Sequence, residues 1–403
     1  MFERIFRPSN LTESMLPILL CNWIFGNQLI QYPNRNFIFL QKYPYFIFII
    51  SVYAVSWSLS IVYFLSETVM NYQENLYWIV TGVSLLIFCV NIILGLVFKK
   101  KSQMIYERSL KVDKKLEDLG VAVNCQKTFS YSFIAIIIFI ITALLLNLMT
   151  VLWTVSSTDV VADTFAIFAL NHPIHINYLF SLTFCTLIRH MCLRFRKINK
   201  ALSKFIALQS SDLILIKNNE SITENRIVFS QTSKRLNHSI QTLKNIHLEL
   251  TSLCEKITQI FGVQLIMTIV SSFVLITFLS YDLYLTARDP EVMNSDKIFE
   301  SLILSSWMIV NVINFQFINY IAARAVHEWS QTGRIIHNLK SKSQDTDLCL
   351  TIQKFSLQML QNPLKFSPCG FIDLGFPFVR DFFGTITTYL IILIQMAPNT
   401  LNK

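Results

Sequence analysis

The sequence predicts an all-α membrane protein with seven transmembrane helices, and three observations carry that prediction. Of 403 residues, 53% are hydrophobic and only 15% charged, against about 25% charged in an ordinary soluble chain. The uncharged residues gather into runs long enough to cross ~30 Å of hydrocarbon as helices. The 34 Lys and Arg residues fall almost wholly between those runs, on alternate sides. Thirty-three phenylalanines exclude disorder, which requires a chain too poor in apolar area to offset its ordering entropy. A net charge of +9 would point to nucleic acid in a soluble protein. Here the basic residues alternate with long uncharged stretches, so the expected partner is the lipid bilayer and not nucleic acid.

Six runs contain no Asp, Glu, Lys or Arg: Phe46–Leu65, Leu76–Phe98, Phe133–Val155, Ile167–Ile188, Ile257–Leu279 and Ser301–Ala323. The fourth contains His172, Pro173 and His175, which moves its expected start toward Ile174. A seventh run, Leu374–Met396, carries Arg380 and Asp381 near its start and is uncharged from Phe382 onward. Ahead of them, Met15–Phe25 is apolar but holds only 11 residues. With Arg4 and Arg7 upstream it has the outline of a cleaved signal peptide, and an interfacial or re-entrant helix is the preferred reading.

Basic residues accumulate on the cytoplasmic side of a membrane protein. The N-terminal segment and the stretches 99–132, 194–256 and 324–373 together hold 29 of them, and the opposite side holds 3. This places the N-terminus in the cytoplasm and the C-terminus outside. A G-protein-coupled receptor has the reverse orientation. The implied organisation is a cytoplasmic N-terminal segment (1–45), a six-helix ligand-binding bundle with cytoplasmic extensions (46–323), cytoplasmic anchor helices (324–373), a pore helix (374–396) and an extracellular tail (397–403).

The cytoplasmic stretches are themselves helical. Leu236, Ile240, Leu243, Ile246, Leu250, Leu253, Ile257 and Ile260 form one stripe that enters the fifth run unbroken, a rod of about 36 Å. Phe195, Ile198, Leu202 and Phe205 continue a stripe beyond the fourth run. Leu348, Ile352, Phe355 and Met359 make a third, ended by Asn362-Pro363. Such stripes need partners, either within one chain or in an assembly of several subunits.

In the last run, Thr385, Thr388, Ile392 and Gln395 share one helix face, with Met396 beside Gln395. A Gln at that position is either an interhelical hydrogen-bond partner or part of a pore wall. In a pore, hydroxyl and amide groups replace part of a cation's hydration while Ile or Met closes the path by dewetting. A single helix encloses nothing, so a pore requires several copies around an axis.

Thr388-Tyr389, the five apolar residues Leu390–Ile394 and then Gln395 resemble the Thr-Tyr-five apolar-Gln-Phe signature of insect gustatory receptors. Glu328-Trp329, Phe355-Ser356-Leu357-Gln358 leading to Pro363, and Cys369-Gly370-Phe371 also look like that family's C-terminal third. The resemblance implies a ligand-gated, poorly selective cation channel of the plasma membrane, with the seventh helix of each subunit lining the central pore of a homotetramer. It also leaves room for a heteromer with related receptors. By position, Tyr389 would hold helix packing, Ile392 and Gln395 would face the pore, and Met396 would stand where the family has its gate Phe. Leu390 occupies the place where sugar-responsive members often carry Glu.

The resemblance further implies a tastant pocket in the outer half of each subunit. Trp307, Asn311 and Asn314 share a face of the sixth run, and Asn147, Thr150 and Thr154 share a face of the third, with Trp153 adjacent. Gln264, Thr268 and Ser271 do so in the fifth. Polar groups on an aromatic wall suit a small polyol or an amphipathic bitter compound, and the same groups also serve to bond helices together. His172 and His175 lie at the outer end of the fourth run, without a third ligand for a metal, and read as pocket rim or caps. No phosphate-cradling loop, nucleophile motif or metal-ligand cluster occurs, so neither enzymatic activity nor a cofactor is expected. The alternatives are an odorant receptor channel of the same superfamily, a G-protein-coupled receptor and a secondary transporter, the last without internal repeats.

The orientation has a direct test. The glycosylation triplets at Asn10, Asn219 and Asn237 all fall on the cytoplasmic side. Peptide mapping of protein from a secretory host is expected to find all three bare, and a glycan on Asn10 would reverse the topology.

Overall fold

The structure, a computed structural model, describes residues 8, 13–26, 43–67, 72–121, 125–154, 160–218, 222–288, 295–342 and 346–396. Asn10, Asn219 and the tail 397–403 lie outside them. Among the described residues there is no strand, and the all-helical class read from the sequence is the one observed. The helices are α1 (Leu16–Ile24), α2 (Tyr43–Glu67), α3 (Tyr72–Val97), α4 (Lys99–Asp118), α5 (Cys125–Thr154), α6 (Val160–Asn218), α7 (Ile222–Arg288), α8 (Ser295–Lys342), α9 (Thr346–Gln361) and α10 (Phe376–Met396).

Each of the seven apolar runs falls on one of these helices: α2, α3, α5, α6, α7, α8 and α10. Among the described residues, five (α5, α6, α7, α8 and α10) are long and apolar enough to span on their own. In α3, Thr81–Val97 meets α4 at a 65° bend, and in α2 the comparable apolar stretch is Ile47–Val62. The exposed Ile and Leu side chains along α5, such as Ile134, Ile138, Leu145 and Leu152, form a face that suits lipid and not water.

Helix α6 organises the bundle. It runs 59 residues without a break, Pro173 included, which corrects the expectation that His172, Pro173 and His175 interrupt the span. Proline lacks the N–H that would bond the carbonyl four residues earlier, and that carbonyl is Ala169. The Trp57 indole N–H from α2 donates to it at 2.8 Å. A neighbouring helix thus supplies the donor that proline lacks, and the helix continues.

Below this point α6 presents a polar group to almost every neighbour in turn. Asn171 Nδ2 donates to Asn147 Oδ1 of α5 at 3.0 Å. Asn177 Oδ1 accepts from Asn91 Nδ2 of α3 at 3.2 Å, and Thr183 Oγ1 accepts from Asn22 Nδ2 of α1 at 2.8 Å. Arg194 grips both oxygens of Asp113 on α4 at 2.8 Å, with both side chains buried. Two residues on, Arg196 donates to Glu328 Oε1 of α8 from Nε at 2.8 Å and Nη2 at 2.6 Å. Asn199 Nδ2 donates to the Glu328 carbonyl while its Oδ1 accepts from Thr332. Each neutral interhelical bond of this kind is worth about 0.6 kcal/mol, up to ~1.7.

The fold adds what the sequence left open about the Met15–Phe25 segment: Ile18, Leu19 and Trp23 are fully buried, and α1 packs within the bundle through Asn22. An 11-residue apolar stretch is too short to span but long enough to fill a gap between longer helices.

Beyond the membrane, the apolar stripes meet within one chain. Ile240, Leu243, Ile246, Leu250, Leu253, Phe195, Ile198, Leu202, Leu348, Ile352 and Phe355 are all buried. At their centre the His247 ring packs against Phe195 at 5.1 Å, Phe355 at 5.4 Å and Trp329 at 5.9 Å, joining α6, α7, α8 and α9. Intrachain bundling therefore accounts for one face of each extension. The opposite side of α9 and the turn after it leave Leu350, Leu357, Leu360 and Phe371 exposed.

The chain enters α10 through a tight turn. Cys369 and Gly370 both take positive φ, 50° and 77°, and this turn sits against Gly262 of α7. A Cβ at Gly262 would come within 3.2 Å of the Cys369 backbone nitrogen and Sγ, so any larger residue there would have to push the turn back by a few tenths of an ångström. Asn319 Oδ1 of α8 accepts from the Gly375 N–H at 3.0 Å just before α10 begins.

Breaking a buried ion pair strands its partner's charge and costs about 3–5 kcal/mol, whereas replacing both partners with apolar residues is often neutral. Asp113→Ala is expected to lower the melting temperature of detergent-purified protein sharply, and the double variant D113L/R194M to recover most of the loss. A wild-type melting temperature for Asp113→Ala would show that the pair contributes nothing.

Candidate functional site

Two regions assemble the residues singled out from the sequence. The first is α10. Of the five helices long enough to span, α10 is the least buried. One face is fixed: the Phe382 ring stacks on Phe315 of α8 at 3.8 Å, and Ile386 is buried beside it. Tyr389 reaches the Phe273 ring of α7 edge-on at 5.7 Å. Another face is left uncovered by the described residues. Thr385, Thr388, Ile392, Gln395 and Met396 are exposed, Ile392 at 44% and Met396 at 77%.

The hydroxyls on this open face are bonded inward. Thr388 donates to the Gly384 carbonyl at 3.0 Å and Thr385 to that of Asp381 at 2.8 Å. Their oxygen lone pairs therefore point away from the helix, as acceptors for whatever occupies the open side. Arg380 pairs with its neighbour Asp381 at 3.1 Å, both largely exposed at the start of the helix.

The second region lies between α5, α6 and α8. Asn147 is its hub: its Oδ1 accepts from Asn171 Nδ2 and lies 3.3 Å from His175 Nε2, a contact that requires the proton on Nε2. The His175 ring stacks on Trp307 with centroids 5.8 Å apart. The Trp307 indole N–H points to Thr150 Oγ1 at 3.4 Å, and Thr150 donates to its own helix at Leu146. Asn311 Nδ2 donates to the Trp307 carbonyl at 2.9 Å, and the Tyr178 hydroxyl stands next to Asn311. Asn147, Thr150, Asn171, His175 and Asn311 are all buried.

Four of the residues expected in a pocket, Asn147, Thr150, Trp307 and Asn311, are thus brought together, with His175, one of the two histidines read as rim or caps, among them. Trp153, His172, Thr268 and Gln264 lie elsewhere. Trp153 is 42% exposed on the outer surface of α5, and the side chain of Thr154 lies outside the described residues. His172 turns the other way, against Tyr53 at 4.5 Å and Phe25 at 5.5 Å. Tyr53 in turn stacks with Trp57 and meets Phe88 edge-on. Thr268 and Gln264 are buried in α7, where Thr268 Oγ1 and Gln264 Nε2 have no hydrogen-bond partner. Among the described residues no group of three or more His, Cys, Asp or Glu is placed to hold a metal.

Sequence periodicity did not single out Asn171 or Tyr178. Asn171 directly precedes His172, and only the rotation of α6 in the bundle separates the two. The one available signal was that Asn171 and His175 stand four apart and so share a face.

Comparison with known proteins places this arrangement. The structure superposes on the insect olfactory receptor OR5 from Machilis hrabei in complex with eugenol, with a TM-score of 0.64 over 96% of this chain and 98% of that one at 14% identity. Against the OR5 structure described without eugenol the TM-score is 0.60. At that identity the likeness is one of fold. In sequence, the chain is 28% identical over 166 residues to gustatory receptor 28b of Drosophila melanogaster, covering 41% of this chain and 35% of that protein. It is 24% identical over 165 residues to the gustatory receptor for bitter taste 66a of the same organism, covering 40% and 31%. The matched stretch thus spans about a third of the length of these relatives. The family model of the 7tm chemosensory receptors matches residues 15–399, so this chain belongs to the 7tm chemosensory receptor family, a family of receptors and not of enzymes.

Proposed function

We propose that this protein is a gustatory receptor that is itself an ion channel: a tastant-gated, non-selective cation channel of the plasma membrane. Several copies, four in the preferred reading, surround a pore lined by α10. The chain works alone or with related receptors, its N-terminus cytoplasmic and its C-terminus extracellular. The observation that carries the reading is the open face of α10. A helix with hydroxyls, an amide and an apolar ring position on a face that none of the described residues covers is suited to wall a shared aqueous path. The exposed apolar side of α9 and its following turn supplies a surface on which copies can assemble below the membrane.

The gate lies at Ile392, Gln395 and Met396. In the closed state Ile392 and Met396 exclude water by dewetting, and Thr388 and Gln395 solvate the passing cation when the path widens. Met396 keeps the constriction apolar while being more adaptable than an aromatic ring. Tyr389 anchors the helix to α7 from the other side.

The tastant site is the cluster around Asn147, Thr150, Trp307 and Asn311, completed by Asn171 and His175. In the N-inside orientation all six fall in the outer part of their runs. Aromatic rings cover apolar faces of the ligand, and the Asn147 and Thr150 oxygens orient its hydroxyls. Trp153, His172 and Thr268 lie beyond the cluster, with His172 in a separate aromatic group; Thr154 stays a proposed neighbour of it from its position in sequence alone.

Helix α8 offers the route from this site to the gate. Trp307 and Asn311 belong to the cluster. One and two turns further along the same face, Phe315 stacks on Phe382 and Asn319 bonds Gly375. A ligand that shifts α8 moves the start of α10 with it. The gustatory reading is preferred to detection of volatiles because the sequence relatives are gustatory receptors and the Thr388-to-Gln395 signature is theirs.

In cells lacking related receptors, tastants identified by a calcium-imaging screen are expected to evoke cation currents that persist under G-protein blockade. Currents that disappear with the blocker would end the channel reading. Gln395→Lys places a positive charge on each of four subunits. At ~10 Å in water each adds ~0.4 kcal/mol to a cation's barrier, so the ring cuts conductance about tenfold at normal surface expression. Conductance and selectivity equal to wild type would remove Gln395 from the pore. Phe315→Ala is expected to uncouple the parts, leaving ligand binding within about twofold of wild type while currents fall at least about tenfold. An equal loss of binding and current would place Phe315 in the fold or the pocket instead of the route.

A further inference from the structure

At the inner ends of three spans the molecule holds a basic cavity that neither the tastant cluster nor the pore uses. Its volume is about 270 Å³, and its wall carries Arg189, Arg196 and Arg324 with Tyr131 and Tyr320 and no carboxylate. Arg189 directly follows the fourth uncharged run, Arg324 directly follows the sixth, and Tyr131 stands two residues before the third. Three helices thus deliver polar residues from the inner ends of their apolar runs to one pocket.

The charges in it are incompletely matched. Glu328, one turn beyond Arg324, takes up Arg196, which leaves the positive charges of Arg189 and Arg324 without an opposing carboxylate in the wall. Arg324 Nη1 donates only to the Tyr320 hydroxyl at 2.7 Å. The Arg189 guanidinium lies over the Tyr131 ring, 3.0 Å from its centroid, and its Nη1 is buried with no hydrogen-bond partner. A buried guanidinium N–H without an acceptor is costly, and Tyr131, which meets Arg189 through its ring and its hydroxyl, leaves Nη1 unmet. The cavity is open at the exposed Tyr320 and Arg324, so an acceptor can enter from the membrane side.

We propose that Arg189, Arg196 and Arg324 form a headgroup site for an anionic phospholipid of the inner leaflet. The phosphate oxygens would accept from Arg189 Nη1 and from the Arg324 guanidinium in the forked geometry that arginine offers to phosphate. The acyl chains would leave along the Phe317 side of the wall. Basic pockets between spans on the cytoplasmic side suit such headgroups. The leaflet follows from the N-inside orientation; the phosphate chemistry does not depend on it, nor on channel activity.

The test uses full-length receptor in phosphatidylcholine nanodiscs with and without phosphatidylserine or phosphatidylinositol bisphosphate, with bound lipid counted by native mass spectrometry after release. Wild type is expected to retain anionic lipid in preference to phosphatidylcholine. Each lost arginine lowers the apparent affinity about fivefold, so R324Q shows one step, R189Q/R324Q two, and R189K/R324K most of the wild-type retention. Equal retention of phosphatidylcholine, or unchanged retention in R324Q, overturns the proposal. R324Q alters an exposed side chain, so the result stands even if the double variant fails to fold. Soluble inositol trisphosphate separates the sources. If it binds lipid-free receptor as tightly as the lipid does and displaces the lipid, the site belongs to a soluble phosphate and the lipid assignment falls.

Discussion

In hydrocarbon a polar group finds no water, so each must be satisfied by the protein itself. That constraint organises this molecule, and α6 is where it acts. Along one helix, the Ala169 carbonyl, Asn171, Asn177, Thr183, Arg194 and Arg196 engage α2, α5, α3, α1, α4 and α8 in succession. Lipid is as apolar as leucine, so apolar contact alone gives helices little reason to choose one another over lipid. A polar rung does, because its bond is made in only one register. The ladder therefore fixes which helix stands beside α6 and at what height, and the apolar residues fill the space between.

The same constraint separates the two ends of the chain. α6 is mostly buried and polar along much of its length, whereas α10 is the least buried of the five helices that span unaided. Under the proposed function α10 lines water among several copies and needs no packing on all sides by its own subunit; its Thr385 and Thr388 hydroxyls are bonded to its own backbone. The outer cluster at Asn147 and the start of α10 both bear on one face of α8, through Trp307 and Asn311 above and Phe315 and Asn319 below. A rigid helix with a polar site at one height and an aromatic stack at another joins the two regions without an added moving part.

The residues that carried the family resemblance prove to be scaffold as much as signal. Glu328 clasps α6 through Arg196 and Asn199. Trp329 and Phe355 close around His247. Cys369 and Gly370 make the turn that Gly262 accommodates. Together they hold the three long helices where they leave the membrane, and that junction sets the position of α10. A short motif near the end of a chain can identify a whole architecture when its residues fix the junction on which the other helices converge.

The sequence by itself determined the all-helical class and the apolar runs that fall on its long helices. Run length against bilayer thickness and the segregation of Lys and Arg are local properties that need no knowledge of packing. It also marked Asn147, Thr150, Trp307 and Asn311 as sharing faces, since helical period alone places residues three and four apart together. It did not determine which faces meet. Asn171 and His175 join the cluster, while His172 turns toward Tyr53 and Trp153 toward the surface, because the rotation of α5 and α6 about their axes is set by partners up to hundreds of residues away. Only the tertiary structure decided that Pro173 leaves its helix intact, since the compensating donor is Trp57. It also decided that Met15–Phe25 is core, since burial depends on a gap between other helices. Periodicity says what a helix offers, and the polar rungs of the assembled bundle decide what each offer is matched with.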